Sequence, residues 1–148
     1  MASTTFSGPV TSTNGFIGAL TGNIAGTGRI THTPTAINAT ATATAAQVAT
    51  GYITSTSVGT VSITLPTGTL LGAALGATQG TVFDLYIDNT AGASVVTIVV
   101  AVNGILSTAA ADTAGSFGDL TIASGATGIG RFTLMFSSAT AYVFTRTA

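Results

Sequence analysis

The chain has 148 residues, of which 5% are charged and 46% are apolar, and its formal net charge is −1. Apart from tyrosine, its ionisable side chains are three arginines, four aspartates and one histidine; it contains no lysine, glutamate or cysteine. Acid–base, nucleophilic and metal catalysis each need grouped ionisable residues, so this composition argues against an enzyme. The lack of a basic patch argues against nucleic acid as a direct partner.

The surface of this chain is expected to be covered by neighbours in an assembly. Its mean hydropathy is +0.65, and a net charge near zero favours association. The strongest apolar run, residues 95–102, is shorter than the ~18–20 residues that a membrane-spanning helix needs. Residues 1–6 have neither the basic nor the hydrophobic region of a signal peptide. We therefore expect neither a membrane span nor a secretory leader.

Residues 1–45 predict an extended N-terminal arm. Turn-forming residues separate sparse apolar residues there, and no period of a helix or strand persists. An arm that docks its apolar residues on a neighbour explains both features, and a flexible tail is the alternative. Residues 39–46 alternate alanine and threonine and predict either a strand or a hinge. The candidate partner-binding residues of the arm are Phe6, Val10, Phe16, Ile17, Leu20, Ile24 and Arg29.

Residues 46–148 predict a β domain, which begins with a strand over residues 51–54. The next strand covers residues 61–65, with its alternate apolar residues on one face, and Pro66 ends it. Thr67 is placed to cap a short helix over residues 68–75.

The central strands are predicted over residues 81–88 and 94–102. The first alternates, with Asp84, Tyr86 and Asp88 on the outward face. The second is apolar on both faces, which indicates burial by the other sheet or by a partner subunit. Asn103-Gly104 predicts a hairpin after it. The candidate oligomer-interface residues on this strand are Val95, Val99 and Val100.

Three further strands are predicted over residues 119–123, 130–137 and 141–145. About seven short strands separated by turns indicate an all-β fold, an antiparallel β-sandwich or barrel that resembles a jelly roll. The predicted architecture is thus this β domain with one short helix and the extended arm.

The few ionisable residues suggest no catalytic or metal centre. Asp84 and Asp88 share a face but lie ~13 Å apart along the strand, which favours two solvated carboxylates. His32 is the only histidine, so a transition-metal site lacks ligands. We predict no cofactor. Arg131 and Arg146 are expected to pair with aspartates of the fold rather than of a partner.

Several segments resemble small virion proteins of tailed phages, cyanophages among them, and head decoration (cement) proteins in particular. The resemblance covers most of the chain as a general pattern. The segments are Thr5-Phe6-Ser7-Gly8-Pro9-Val10, Asn14-Gly15-Phe16, Gly51-Tyr52-Ile53-Thr54-Ser55-Thr56-Ser57, Val61-Ser62-Ile63-Thr64-Leu65-Pro66, Phe83-Asp84, Asp88-Asn89-Thr90-Ala91-Gly92-Ala93, Gly130-Arg131-Phe132 and Ser137-Ser138-Ala139-Thr140-Ala141-Tyr142.

The resemblance implies a homotrimer on the outer surface of the virion capsid, where it bridges and stabilises major capsid protein subunits. The alternatives are a tail- or fibre-associated virion protein and a β-sandwich module that binds carbohydrate or a host surface. The last alternative needs exposed aromatic side chains, for which Tyr52, Tyr86 and Tyr142 are the candidates.

Overall fold

The computed structural model describes residues 31–101, 104–106 and 120–147. This part of the chain consists mostly of β-strands with two α-helices, which confirms the prediction of a largely β fold. The strands are β1 (Thr35–Ala36), β2 (Ala41–Thr42), β3 (Tyr52–Thr54), β4 (Val61–Thr64), β5 (Val82–Asp88), β6 (Val96–Val99), β7 (Gly104–Leu106), β8 (Thr121–Ile122), β9 (Ile129–Ser138) and β10 (Ala141–Arg146). The helices are α1 (Ala45–Ala49) and α2 (Gly68–Leu75), and residues 125–127 form a 3-10 turn.

The strands form two sheets, and the chain alternates between them. Sheet A has the order β1-β3-β5-β9-β10-β7, and sheet B has the order β2-β4-β6-β8. In sheet A the strands β1, β3 and β5 are parallel to one another, and in sheet B the strands β2, β4 and β6 are. The chain therefore makes three successive turns, and each turn places one strand in sheet A and the next in sheet B. Among the strands of the described residues, only the pairs β5–β9, β9–β10 and β6–β8 are antiparallel. The sheets are therefore mixed, and the antiparallel arrangement predicted from the sequence is wrong for them.

The two helices occupy the connections that return from sheet B to sheet A, and local capping explains where each begins. Thr44 accepts a hydrogen bond from the backbone N–H of Gln47, whose side chain accepts in turn from the backbone of Thr44. This capping box satisfies two backbone donors of α1. Thr67 caps α2 as predicted, and Gly76 ends α2 in the left-handed conformation at φ 59°.

One apolar core collects the inward residues of both sheets. Alternate residues of β4, β5 and β9 are buried as the sequence pattern predicts, and their neighbours face outward. The fully buried large side chains include Ile53, Leu85, Phe132 and Phe144 of sheet A and Ile63, Ile98 and Ile122 of sheet B. Phe132 and Phe144 stack with ring centroids 4.9 Å apart. The core therefore fixes which face of each sheet is left outside.

The structure differs from the sequence predictions at three further places. The sequence predicts one short helix, over residues 68–75, whereas the structure has a second one, α1. Residues 31–45, assigned to the predicted arm, contribute β1 and β2 to the two sheets. β6 and β7 do not form the predicted hairpin, because β6 pairs with β4 and β8 in sheet B while β7 pairs with β10 in sheet A.

Candidate functional site

The outer side of β6, together with the residue before it, carries two of the three predicted oligomer-interface residues. Val95 and Val99 are 39% and 40% exposed, whereas Val96 and Ile98 are buried in the core. Val100 is half-buried and packs against the core. Sheet A covers only one side of this apolar strand, so the other side is available to a partner.

A groove opens at the end of sheet B where β2 and β4 finish and the two helices begin. Its volume is about 620 Å³, within the ~300–1,000 Å³ of typical small-molecule pockets. None of the described side chains that line it is ionisable, and Leu70, which is 60% exposed, forms part of its wall. The apolar lining residues are Ala43, Ala45, Leu65, Pro66, Leu70 and Ala101, with threonines between them. This groove favours an uncharged, apolar occupant.

The outer face of sheet A has the opposite character, because it collects most of the ionisable groups of the described residues. Tyr52 lies opposite Tyr86, and Tyr86 lies opposite Arg131 on the next strand. The ring centroids of His32 and Tyr86 are 5.8 Å apart, and the Arg131 guanidinium carbon is 5.8 Å from the centre of the Tyr86 ring. Three adjacent strands therefore present a continuous aromatic and charged row.

Asp84 is held beside this row by two side chains of β9. Its Oδ2 accepts from Nη2 of Arg131 at 2.6 Å, and its Oδ1 accepts from the hydroxyl of Thr133 at 2.7 Å. The hydrogen bond from Arg131 lowers the pKa of Asp84, and the bond from Thr133 lowers it further. Arg131 thus pairs with an aspartate of the fold, as the sequence predicts.

Asp88 accepts hydrogen bonds at both of its oxygens. The backbone N–H and hydroxyl of Thr90 donate to Oδ1 at 2.9 and 2.6 Å, and the Tyr52 hydroxyl donates to Oδ2 at 2.6 Å. The hydrogen bond from the Thr90 side chain is the main reason why the pKa of Asp88 is lowered. The hydrogen bond from Tyr52 to Asp88 raises the pKa of Tyr52. Both aspartates of this face are therefore ionised at neutral pH.

Acid should destabilise the fold through these two carboxylates. Because folding lowers the pKa of both groups, the unfolded chain takes up protons first as the pH falls. We expect the free energy of unfolding to decrease between about pH 5 and pH 2, and the double variant Asp84→Asn, Asp88→Asn to show a shallower decrease. Urea titrations at each pH, followed by circular dichroism, measure this. An equally steep decrease in the double variant would contradict the assignment.

The remaining candidate residues take structural positions. Nδ1 of His32 lies 2.9 Å from the carbonyl oxygen of Thr50, and Arg146 donates to the carbonyl of Thr121 at 2.8 Å. Tyr142 is buried, its hydroxyl donates to the carbonyl of Pro66 at 3.2 Å, and burial raises its pKa to about 12. Within the described residues, no group of three or more His, Cys, Asp or Glu could hold a metal ion.

The predicted arm contacts cannot be placed, because Phe6, Val10, Phe16, Ile17, Leu20, Ile24 and Arg29 lie outside the described residues. Comparison with protein-family models, curated proteins and solved structures finds no match to this chain. No helix in the described part of the chain is long and apolar enough to cross a membrane.

Sequence reasoning missed the groove and one exposed apolar side chain, Val58. Val58 is 86% exposed in the loop between β3 and β4. Its signal in the sequence was an isolated valine between Ser57 and Gly59, in a turn where polar residues are usual. The groove had no such signal, since its described lining comes from four separate places in the sequence.

Proposed function

We propose that this chain is a structural virion protein, a decoration protein that assembles as a homotrimer on the outer surface of a phage capsid and stabilises its major capsid protein. The observation that carries the proposal is the uncharged apolar surface left open on sheet B: the outer side of β6 and the groove beside it. An exposed apolar surface on a small domain marks an interaction site.

The composition and the resemblance to tailed-phage decoration proteins support the same proposal. A decoration protein acts through surface area and shape, and many weak contacts in a lattice give durable attachment. In this proposal the N-terminal arm docks its apolar residues on the capsid protein, while the β domain associates with its sister copies. As a fold, we infer a sandwich of the two sheets rather than an open arrangement, since both contribute to one core.

Binding to capsids tests the proposal directly. The full chain, mixed with capsids of the major capsid protein from the same genome, is expected to sediment with them. The variant Phe6→Ser, Phe16→Ser should lose this binding while it keeps the oligomeric mass of the wild type, because only the arm is changed. Absence of wild-type binding would refute the decoration role, and full binding by the variant would remove these arm residues from it.

Copy number separates this proposal from the tail- or fibre-associated alternative. Quantitative mass spectrometry of purified particles should find the chain in numbers comparable to the capsid protein. A handful of copies per particle would instead favour the tail or fibre.

The outer face of sheet A favours a second candidate function, a module that binds carbohydrate or a host surface. Two of the three predicted aromatic residues, Tyr52 and Tyr86, lie side by side there, next to Arg131 and Asp88, whereas Tyr142 is buried. Tyrosine rings next to charged groups offer an apolar surface with polar partners. Retention of the wild type on a glycan array, and its loss in Tyr86→Ala, would support this function over decoration.

A further inference from the structure

The loop that carries Val58 and the apolar groove lie at opposite ends of β4. Val58 precedes the first residue of β4 by three positions, and the groove is lined by Thr64, Leu65 and Pro66 at the other end. Strands β2 and β6 run parallel to β4. The groove is also lined by Thr42 and Ala43 at the end of β2 and by Ala101 after β6. One end of sheet B therefore presents an apolar projection and the other end an apolar recess.

The Val58 loop is built as a fixed projection. The Ser57 hydroxyl donates to the carbonyl of Gly59 at 2.9 Å and accepts from its backbone N–H at 3.3 Å. The backbone N–H of Ala93 donates to the carbonyl of Ser57 at 2.9 Å, which ties the loop to the next turn of the chain. Among the large apolar side chains of the described residues, Val58 is the most exposed. Small neighbours on both sides leave it free to enter a recess.

Charge favours a second copy as the occupant of the groove. Neither the loop tip, Ser57 to Gly59, nor the described residues of the groove lining include an ionisable side chain. Contact between these two surfaces therefore buries no charge without a partner. The charged groups of the described residues gather instead on sheet A. With a net charge of −1, two copies repel each other only weakly.

We propose that the Val58 loop of one copy inserts into the groove of the next copy, between Leu70 and Pro66. This contact joins two different surfaces and is heterologous, so repetition closes a ring or extends a filament. A ring of three copies would be the homotrimer of the proposed function. The inference deepens that function, and the ring size of three rests on it. Val95 lies at the Val58 end of β6 and Val99 at the groove end, so both exposed valines flank the contact.

Charge substitutions on the two surfaces test the contact in the purified full chain. We expect Val58→Asp and Leu70→Asp each to weaken self-association by about tenfold or more, because each buries a carboxylate in the contact. Both sites are exposed, at 86% and 60%, so folding is retained. An acidic residue at position 70 also suits the first turn of α2. Val82→Asp, on the outer face of sheet A and 59% exposed, is the matched control and should associate like the wild type.

Mixing the two variants gives the decisive result, measured by sedimentation velocity. Val58→Asp keeps an intact groove and Leu70→Asp keeps an intact loop, so an equimolar mixture should form one-to-one dimers although each variant alone is monomeric. A mixture that stays monomeric, variants that associate like the wild type, or a wild type that is monomeric at high concentration would each overturn the inference.

The same variants separate this inference from the decoration role. If Leu70→Asp keeps its self-association but no longer binds capsids, the groove belongs to the capsid protein and the inference is wrong while decoration stands. If the charge variants dissociate as expected but the wild type never binds capsids, the contact between copies stands and decoration fails.

Discussion

Replacement of Asn89 by aspartate is expected to lower the free energy of unfolding by about 3–5 kcal/mol. Asn89 is fully buried, and its side-chain Nδ2 faces three backbone carbonyl oxygens, those of Ser94, Ile122 and Ala123, at 2.8, 3.3 and 2.9 Å. Aspartate would place an oxygen against these acceptors, and in its ionised form a buried charge without a partner. Urea denaturation followed by circular dichroism measures the change.

Asn38 provides the matched control, because it stands at the corresponding corner after β1. Its side-chain Oδ1 accepts from the backbone N–H of Thr56 at 2.8 Å, and the residue is exposed. A carboxylate can accept the same bond, so Asn38→Asp should change the free energy of unfolding by no more than about 0.5 kcal/mol. If the two variants lost equal stability, the three carbonyls around Asn89 could not be the cause.

The position of Asn89 explains why this residue joins the two sheets. It follows β5 of sheet A, and two of its acceptors, Ile122 and Ala123, belong to β8 of sheet B and the residue after it. Its backbone N–H donates to the carbonyl of Gly128, just before β9. One amide side chain therefore fixes the corner at which the third turn of the chain passes from one sheet to the other.

The elements that follow from local rules could be predicted from the sequence. The alternation in β5 and β9 reveals the buried face, and Thr67 with Gly76 marks both ends of α2. The capping box of α1 was equally readable as Thr44-Ala45-Ala46-Gln47, but the alanine–threonine repeat around it hid the signal. Local hydrogen bonds and side-chain periodicity suffice for such elements.

Strand pairing could not be predicted, because it depends on contacts between distant residues. Short strands of threonine, valine and isoleucine fit parallel and antiparallel neighbours equally well. From β4 the chain passes through α2 and then through β5 of the other sheet before β6 pairs with β4 in parallel. Nothing local in either strand indicates this detour, so the sequence pattern favoured hairpins and an antiparallel sheet. The candidate site could not be predicted for the same reason, because Tyr52, Tyr86 and Arg131 become neighbours only when their three strands pair.

The substitution Gly72→Ala should lower the free energy of unfolding by roughly 1–3 kcal/mol, although alanine is the better helix former. Gly72 is buried on α2, and a Cβ atom there would clash with the carbonyl oxygen of Ala139 in the turn between β9 and β10. That oxygen belongs to the backbone, so relief requires the helix or the hairpin to move. Gly59→Ala is the control, because a Cβ there meets no atom within 4 Å. Thermal and urea unfolding should leave Gly59→Ala close to the wild type, and a stabilised Gly72→Ala would show that α2 does not pack closely on this turn.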